Sequence, residues 1–208
     1  GTDGRIVPIG WESRGVEGKI LAVEYARNNK VPYLGLCFGM QLACVEFARN
    51  VVGFKDANSE EVDSKTKHKI IHSIPFDPKY QVIKGEGTSM RLGAFDCEIK
   101  KDTLAYSIYT KYGIGKKLKN GNLLVSERHR HRFEFNNEFR KDLEAKGMVF
   151  SGTSPDDFFV EVIELPKKMH PFFLATQAHP EYKSSPLNPH PFFLEFVLAS
   201  EKFKKKSK

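Results

Sequence analysis

The 208-residue chain predicts an α/β fold, a mostly parallel central sheet flanked by helices, with a nucleophile on a strand-turn-helix elbow. Three observations carry this. Apolar runs of strand length alternate with helically spaced segments over residues 5–48, the pattern of a parallel sheet with crossover helices. Three more strand-like runs follow at 148–179, separated by proline and polar turns. No repeat, linker or low-complexity stretch divides the chain, so residues 1–200 read as one domain followed by a basic tail at 201–208.

The elements follow in order. "RIVPI" (5–9) is a short strand, and "VEGKILAVEYARNNK" (16–30) spaces Ile20, Val23 and Ala26 along one helical side. "VPYLGL" (31–36) is a second strand. From Phe38, Leu42, Val45 and Ala48 recur at three and four, so a helix starts directly after it. Residues 53–122 are weakly patterned; "HKIIHSI" and "SMRLGAFDCEI" are fragments, and "KYGIGKKLKNGN" reads as an exposed loop. "NLLVSE" and "RFEF" resemble strand pieces around "RHRHR". "NNEFRKDLEAKG" (136–147) is a helix opened by Asn and closed by Gly. "MVFSG", "FFVEVIEL" and "FFLATQAH" are strands, and "HPFFLEFVLASEKFKKK" is an amphipathic helix with Phe192, Phe193, Phe196 and Val197 inward.

Composition excludes several classes. At 40% hydrophobic and 28% charged, the chain can bury a core and is not of disordered type. No apolar run approaches the roughly 18 residues of a membrane span. Three cysteines make an odd and sparse set, which argues against a disulfide framework and for a reducing, cytoplasmic setting. Five Lys against one Glu in the last eight residues carry +4 of the +7 formal charge, leaving +3 on the preceding 200. The excess is therefore a solvated terminus rather than a nucleic-acid surface, and no nucleic-acid or membrane partner is expected.

The chemistry concentrates on "PYLGLCFGMQ" (32–41). "GLCFG" has the G-x-nucleophile-x-G form, in which small residues two before and two after allow a sharp turn that projects the side chain. Such a turn places the Cys37 sulfur at a helix N-terminus, where free N–H groups favour thiolate and can face an oxyanion. From the turn alone, Cys37 is either a nucleophile or a buried structural thiol. Cys44, on an apolar stripe of the following helix, and Cys97 read as packing residues. A nucleophilic cysteine needs a base and an orienting group. His179 ends an apolar run with Glu181 two residues on; in an extended segment the two share a side, so the carboxylate can hold one ring nitrogen while the other faces sulfur. His68, His72, His170 and His190 lack such company and default to surface or capping roles.

"PYLGLCFGMQ", "DANSEE", "TSMRLGA", "ERHRHRFEFN" and "TQAHPEYKSSP", in this order, resemble the class I glutamine amidotransferase domain of the CTP synthases, over about residues 1–200. The Cys and His-x-Glu pattern is general to class I glutaminases, whereas "DANS", "MRLG" and "RHRHR" point to CTP synthases. The resemblance implies a flavodoxin-like class I fold. Cys37 would attack the glutamine carboxamide, His179 would carry the proton to ammonia, and Glu181 would orient His179. It further implies glutamine contacts at Gly10, Phe38, Gly39, Met40, Gln41, Glu61, Arg132 and Phe133, with the Phe38 N–H as an oxyanion donor. Without the resemblance, Glu61 reads as a solvated loop charge and Arg132 as part of a basic strand edge. The "RHRHR" alternation also suits phosphate contact, such as a guanine nucleotide, or a face toward another domain.

Departures from the family's pattern are Ile9 and Glu12, where glycines are usual in the oxyanion loop, and Ala178, where an aromatic is usual. An Ile resists φ > 0, so a loop needing that conformation at Ile9 would be reshaped.

No metal or cofactor is expected in this domain. The resemblance implies a separate amidoligase domain of the same polypeptide using ATP, Mg²⁺ and UTP, GTP as an activator, and a homotetrameric whole enzyme; no G-x-x-x-x-G-K-[ST] loop occurs here. The chain reads as an excised domain whose first strand and helix precede residue 1. Other readings are a GMP synthase-like amidotransferase, a γ-glutamyl hydrolase or cysteine peptidase, and a binding module on an inactive amidotransferase fold.

Overall fold

The computed structural model describes residues 2–74 and 89–206. Its elements are β1 (Arg5–Val7), α1 (Val16–Asn28), β2 (Tyr33–Leu36), α2 (Phe38–Phe47), β3 (Asn58–Ser59), β4 (Lys69–Ser73), β5 (Arg91–Ile99), α3 (Leu104–Lys111), β6 (Lys116–Lys117), β7 (Leu123–His131), β8 (Phe133–Phe135), α4 (Arg140–Ala145), β9 (Val149–Thr153), β10 (Val160–Glu164), β11 (Phe173–Thr176) and α5 (Pro191–Lys206). Eight strands form one sheet in the order β1-β2-β11-β10-β9-β5-β7-β6, and β3-β4-β8 form a small second sheet.

β2 pairs in parallel with β1 on one side and β11 on the other. From β11 outward every pair is antiparallel. The alternation leaves β1, β2, β11, β9 and β7 running one way and three strands running against them, so the sheet is mixed, with its parallel block at the end that carries the elbow. β2 is buried on both faces, which is why its sequence is an uninterrupted apolar run. Tyr33 and Phe173 pack into one core with α1 and α2, and Leu34 and Leu174 into the other with α3 and α5, the period of two separating the layers. Every residue of α2 is buried, and a π-helical turn, Ala48–Val52, continues it.

Several expectations are corrected. α3 lies in the weakly patterned region, capped by Thr103, whose Oγ1 accepts the Tyr106 N–H, and its first two amides bond the buried Glu164 carboxylate. Lys116 and Lys117, read as loop, form the exposed edge strand β6. β7 runs unbroken through most of "RHRHR", with Glu127, His129 and His131 buried and Arg128 and Arg130 exposed. "NNEFRKDLEAKG" begins as a 3₁₀ turn at Asn137 and becomes α-helical only at Arg140; Asn136 caps the start and Gly147, at φ 102°, follows the end. Val197 points outward at 54% exposure. Phe192 and Phe196 are buried and Phe193 is half-buried against the same core, as expected, whereas Val197 sits one residue and about 100° beyond Phe196; Phe203 packs half-buried on the other core. The basic tail is helical through Lys206, as the last turns of α5. Ser207, Lys208 and Thr88 of "TSMRLGA" lie outside the described residues.

Candidate active site

Cys37 sits between β2 and α2 at φ 51°, ψ −103°, a backbone conformation that L-residues rarely hold. Its neighbours make the turn possible. A Cβ on Gly39 would run into the Val7 carbonyl, and one on Gly35 would come within 2.9 Å of both the Ala175 Cβ and the Gly39 carbonyl carbon. The Tyr33 hydroxyl donates to the Gly39 carbonyl at 2.9 Å, and the Cys37 N–H to the Thr176 carbonyl at 2.8 Å. The elbow is thus held from β1, β2 and β11 together.

β11 ends at Thr176 and the base follows three residues later. His179 precedes a 3₁₀ turn, Pro180–Lys183, so Glu181 reaches it across a turn rather than along an extended segment: Nδ1 and Glu181 Oε1 are 2.7 Å apart. The His179 N–H donates to the Arg128 carbonyl of β7. With Nδ1 occupied, Nε2 is buried and has no hydrogen-bond partner among the described residues. The residue's ring stacks on Tyr182 at 5.2 Å between centroids and 7° between planes.

Cys37 and His179 line one cavity of about 530 Å³, together with Gly10, Gln41, Glu61, Arg132 and Phe133 from the sequence-expected set. Phe38, Gly39 and Met40 lie outside the lining: the Phe38 amide faces the Cys37 sulfur, Gly39 packs on β1, and Met40 is wholly buried in the core. Sequence reasoning missed Trp11, Met90, Arg130, His131 and Tyr182 in the wall, and Gln177 behind it. Gln177 donates from Nε2 to Cys37 Sγ at 3.4 Å and accepts from Gln41 Nε2 at 3.2 Å, while Gln41 also donates to the Phe133 carbonyl. Its position inside "TQAHPE" was the available signal.

Ile9 lines the cavity without positive φ; in this loop the left-handed conformation falls on Glu12, at φ 61°. The Glu12 N–H donates to Glu61 Oε1 at 3.0 Å, which ties the loop to a carboxylate expected among the glutamine contacts. Burial, only partly offset by this bond, pushes the Glu61 carboxyl up.

Electrostatically the resting thiol is not a thiolate. Burial pushes Cys37 up to about 12; the Phe38 N–H opposes this, and the charges of Glu134, Glu181 and Glu61 add to it. The helix N-terminus thus supplies a donor to sulfur yet does not outweigh desolvation. Behind His131 lies a buried ionic cluster. Arg91 bonds Glu134 at 2.8 Å and Glu161 at 2.6 Å, and stacks against Phe95 and Phe159. His131 Nε2 is 2.6 Å from Glu134, and burial holds His129 and His131 neutral-leaning, their ring pKa values lowered. Burial opposes ionisation of Glu134, but His131 and Arg91 outweigh it and keep its carboxyl below the usual range; Glu161 is pushed up to about 7 by burial. His170 and His190 are buried rather than surface residues. His190 does cap α5, accepting the Phe192 N–H, and His170 bridges the Ala26 carbonyl and the Phe172 N–H.

A family model for class I glutamine amidotransferases matches residues 1–199. The chain belongs to the class I glutamine amidotransferases. Curated relatives of this chain within that family include CTP synthases. That of Caldanaerobacter subterraneus subsp. tengcongensis is 53% identical over 199 residues, covering 96% of this chain and 34% of the relative. That of Bacillus subtilis is 49% identical over 200 residues, covering 96% and 34%. The chain thus spans about a third of the length of these curated relatives. Among solved structures, the Trypanosoma brucei CTPS glutaminase domain with bound acivicin is 39% identical, with a TM-score of 0.84, covering 97% of this chain and 72% of that one. A Thermoplasma acidophilum protein described as a putative GMP synthase subunit is 15% identical with a TM-score of 0.56, covering 100% of this chain and 77% of that one, and shares the amidotransferase fold.

Proposed function

We propose that this class I amidotransferase domain hydrolyses L-glutamine to glutamate and ammonia through a γ-glutamyl thioester on Cys37. The observation that carries the proposal is the unpartnered Nε2 of His179, whose other nitrogen is engaged by Glu181, in the wall of the cavity that Cys37 lines. A thiol raised to about 12 is not spontaneously nucleophilic at neutral pH, so attack is coupled to proton transfer from Sγ to His179 Nε2. Sulfur adds to the carboxamide carbon, and negative charge collects on the carbonyl oxygen near the Phe38 N–H. The imidazolium then returns the proton to the leaving nitrogen, and ammonia departs as the thioester forms. Water, deprotonated by His179, adds to the thioester, and sulfur leaves to recover its proton. Splitting a poor electrophile's hydrolysis into two acyl transfers lowers each barrier.

The cavity suits glutamine in one direction. Glu61 faces the α-ammonium and Arg132 the α-carboxylate, with Gln41 beside them at the amino-acid end and Gly10 and Phe133 around the stem. The reading extends to the longer protein: ammonia passes to an amidoligase domain of the same polypeptide that aminates UTP to CTP with ATP and Mg²⁺, in a cytoplasmic homotetramer activated by GTP. Identity to CTP synthases of three times this length supports that extension. The test is glutamate release from glutamine by the chain and by Cys37→Ala, with mass spectrometry of the acid-quenched protein for the γ-glutamyl adduct. Release and adduct are expected in the parent and neither in Cys37→Ala; equal release by both would overturn the proposal.

A further inference from the structure

We propose that Tyr182 is a positioning residue of this reaction: its ring fixes the plane of the His179 imidazole so that Nε2 stays directed at the cavity wall where Cys37 lies. The proposal rests on the glutaminase reading for its kinetic consequence and on geometry for its mechanism.

The Glu181 bond holds His179 at one vertex, Nδ1. A single hydrogen bond leaves the ring free to swing about its own axis, and the Glu181 side chain is one-third exposed, so water competes for that bond. The main-chain bond from His179 to the Arg128 carbonyl fixes the backbone but not the ring. What removes the remaining freedom is a flat surface parallel to the imidazole. Tyr182 supplies one, offset-stacked at 5.2 Å and 7°, the arrangement in which aromatic faces attract. The short turn makes this possible, since the Tyr182 N–H donates to the His179 carbonyl at 3.1 Å and brings the two side chains to one side.

Two further observations separate this role from ordinary packing. Tyr182 is 52% exposed, an unusual state for an aromatic ring whose purpose is burial. Tyr182 also lines two cavities, the one holding Cys37 and His179 and an outer groove lined by Arg128, Arg130 and Lys183, so it stands between the base and that groove. The hydroxyl bonds nothing among the described residues, which places the function in the ring face.

The experiment compares the full chain with Tyr182→Phe, Tyr182→Leu and Tyr182→Ala, each checked for a cooperative melt. Steady-state glutamate release is expected to give Tyr182→Phe within about two-fold of the parent. Tyr182→Leu and Tyr182→Ala should lose about ten-fold in kcat with KM little changed, a fraction of the roughly 10²–10⁴ a positioned base contributes. Alkylation of Cys37 by iodoacetamide at neutral pH, slow but assisted by His179 taking the Sγ proton as sulfur attacks, should fall in parallel, with His179→Asn setting the floor. This second measurement needs no glutamine turnover, so it reports on Tyr182 even if the glutaminase reading fails, and it uses Tyr182→Leu should the Ala variant not fold. Unchanged kcat and unchanged alkylation in Tyr182→Leu would overturn the proposal, as would Tyr182→Phe losing as much as Tyr182→Leu, which would move the function to the hydroxyl.

Discussion

The Cys37 N–H donates to the Thr176 carbonyl at 2.8 Å, so the nucleophile is bonded to the last residue of the strand that leads to its base. In the parallel register Thr176 is opposite Leu36, and this bond extends the ladder by one step into the elbow. The distance from thiol to imidazole is therefore set by sheet register and the three residues Gln177, Ala178 and His179. Relaxing that register should uncouple the pair without emptying the cavity. Gly39→Ala, which drives a methyl into the Val7 carbonyl beside this point, is expected to cost more than about 3 kcal/mol of stability, with thermal melting as the check.

Glu181→Gln retains an acceptor for His179 Nδ1 but removes the negative charge beside a ring that must become cationic. Its kcat for glutamate release should drop about 100-fold with KM nearly unchanged, because no glutamine contact is assigned to Glu181. A change confined to KM would refute the orienting role.

The resting thiol at about 12 makes a prediction about pH. Without glutamine, iodoacetamide labelling of Cys37 should be slow at neutral pH and still be climbing at about pH 10.5, where an ordinary cysteine at about 8.5 has levelled off. A plateau near pH 7 would mean that a thiolate and imidazolium pair already exists in the free domain.

Arg91 faces two buried carboxylates, Glu134 and Glu161. Arg91→Met is expected to destabilise the domain by about 3–5 kcal/mol, since removing one member of a buried ionic cluster leaves its partners uncompensated. Adding Glu134→Gln and Glu161→Gln to that variant should recover much of the loss. Urea titrations of the three proteins would test both statements.

His170 is wholly buried, and burial holds its ring at about 4 against an ordinary 6.5. The unfolded chain therefore binds more protons than the folded one between these values. The contribution is complete above about pH 6.5 and is lost as pH falls toward 4, on the order of 3 kcal/mol. His72, His129 and His131, all lowered chiefly by burial, act in the same direction. Urea midpoints should decline from pH 7 to pH 5, and less steeply in His170→Gln.

Much of this was legible in the sequence where local pattern and fold agree. The run "VPYLGL" is buried on both faces, and "GLCFG" makes the turn its glycines require. His179 and Glu181 were recognisable as partners, though through a 3₁₀ turn that Pro180 opens rather than an extended segment. What stayed hidden depends on tertiary contact. α3 is short, and beyond its Thr103 cap its first amides are held by Glu164, a residue distant in sequence; β6 is two residues long and has no local signal. "RHRHR" looked uniformly basic, yet strand alternation buries its histidines and exposes Arg128 and Arg130. Gln177 was invisible as a contact to Cys37 because the two are 140 residues apart and meet only when β2 and β11 pair. The loop takes its left-handed residue at Glu12 rather than Ile9, since which residue of a loop turns left-handed is decided by where the loop is tied.

α2, buried over all ten residues, makes the cavity a vice with one fixed jaw. The thiol side is anchored in the interior and has no freedom to adapt. The opposing jaw is surface loop, with Trp11 68% exposed and Glu12 strapped to Glu61. Changes of amide specificity obtained by selection should therefore accumulate at residues 9–12 and around Glu61, while the helix behind Cys37 stays invariant.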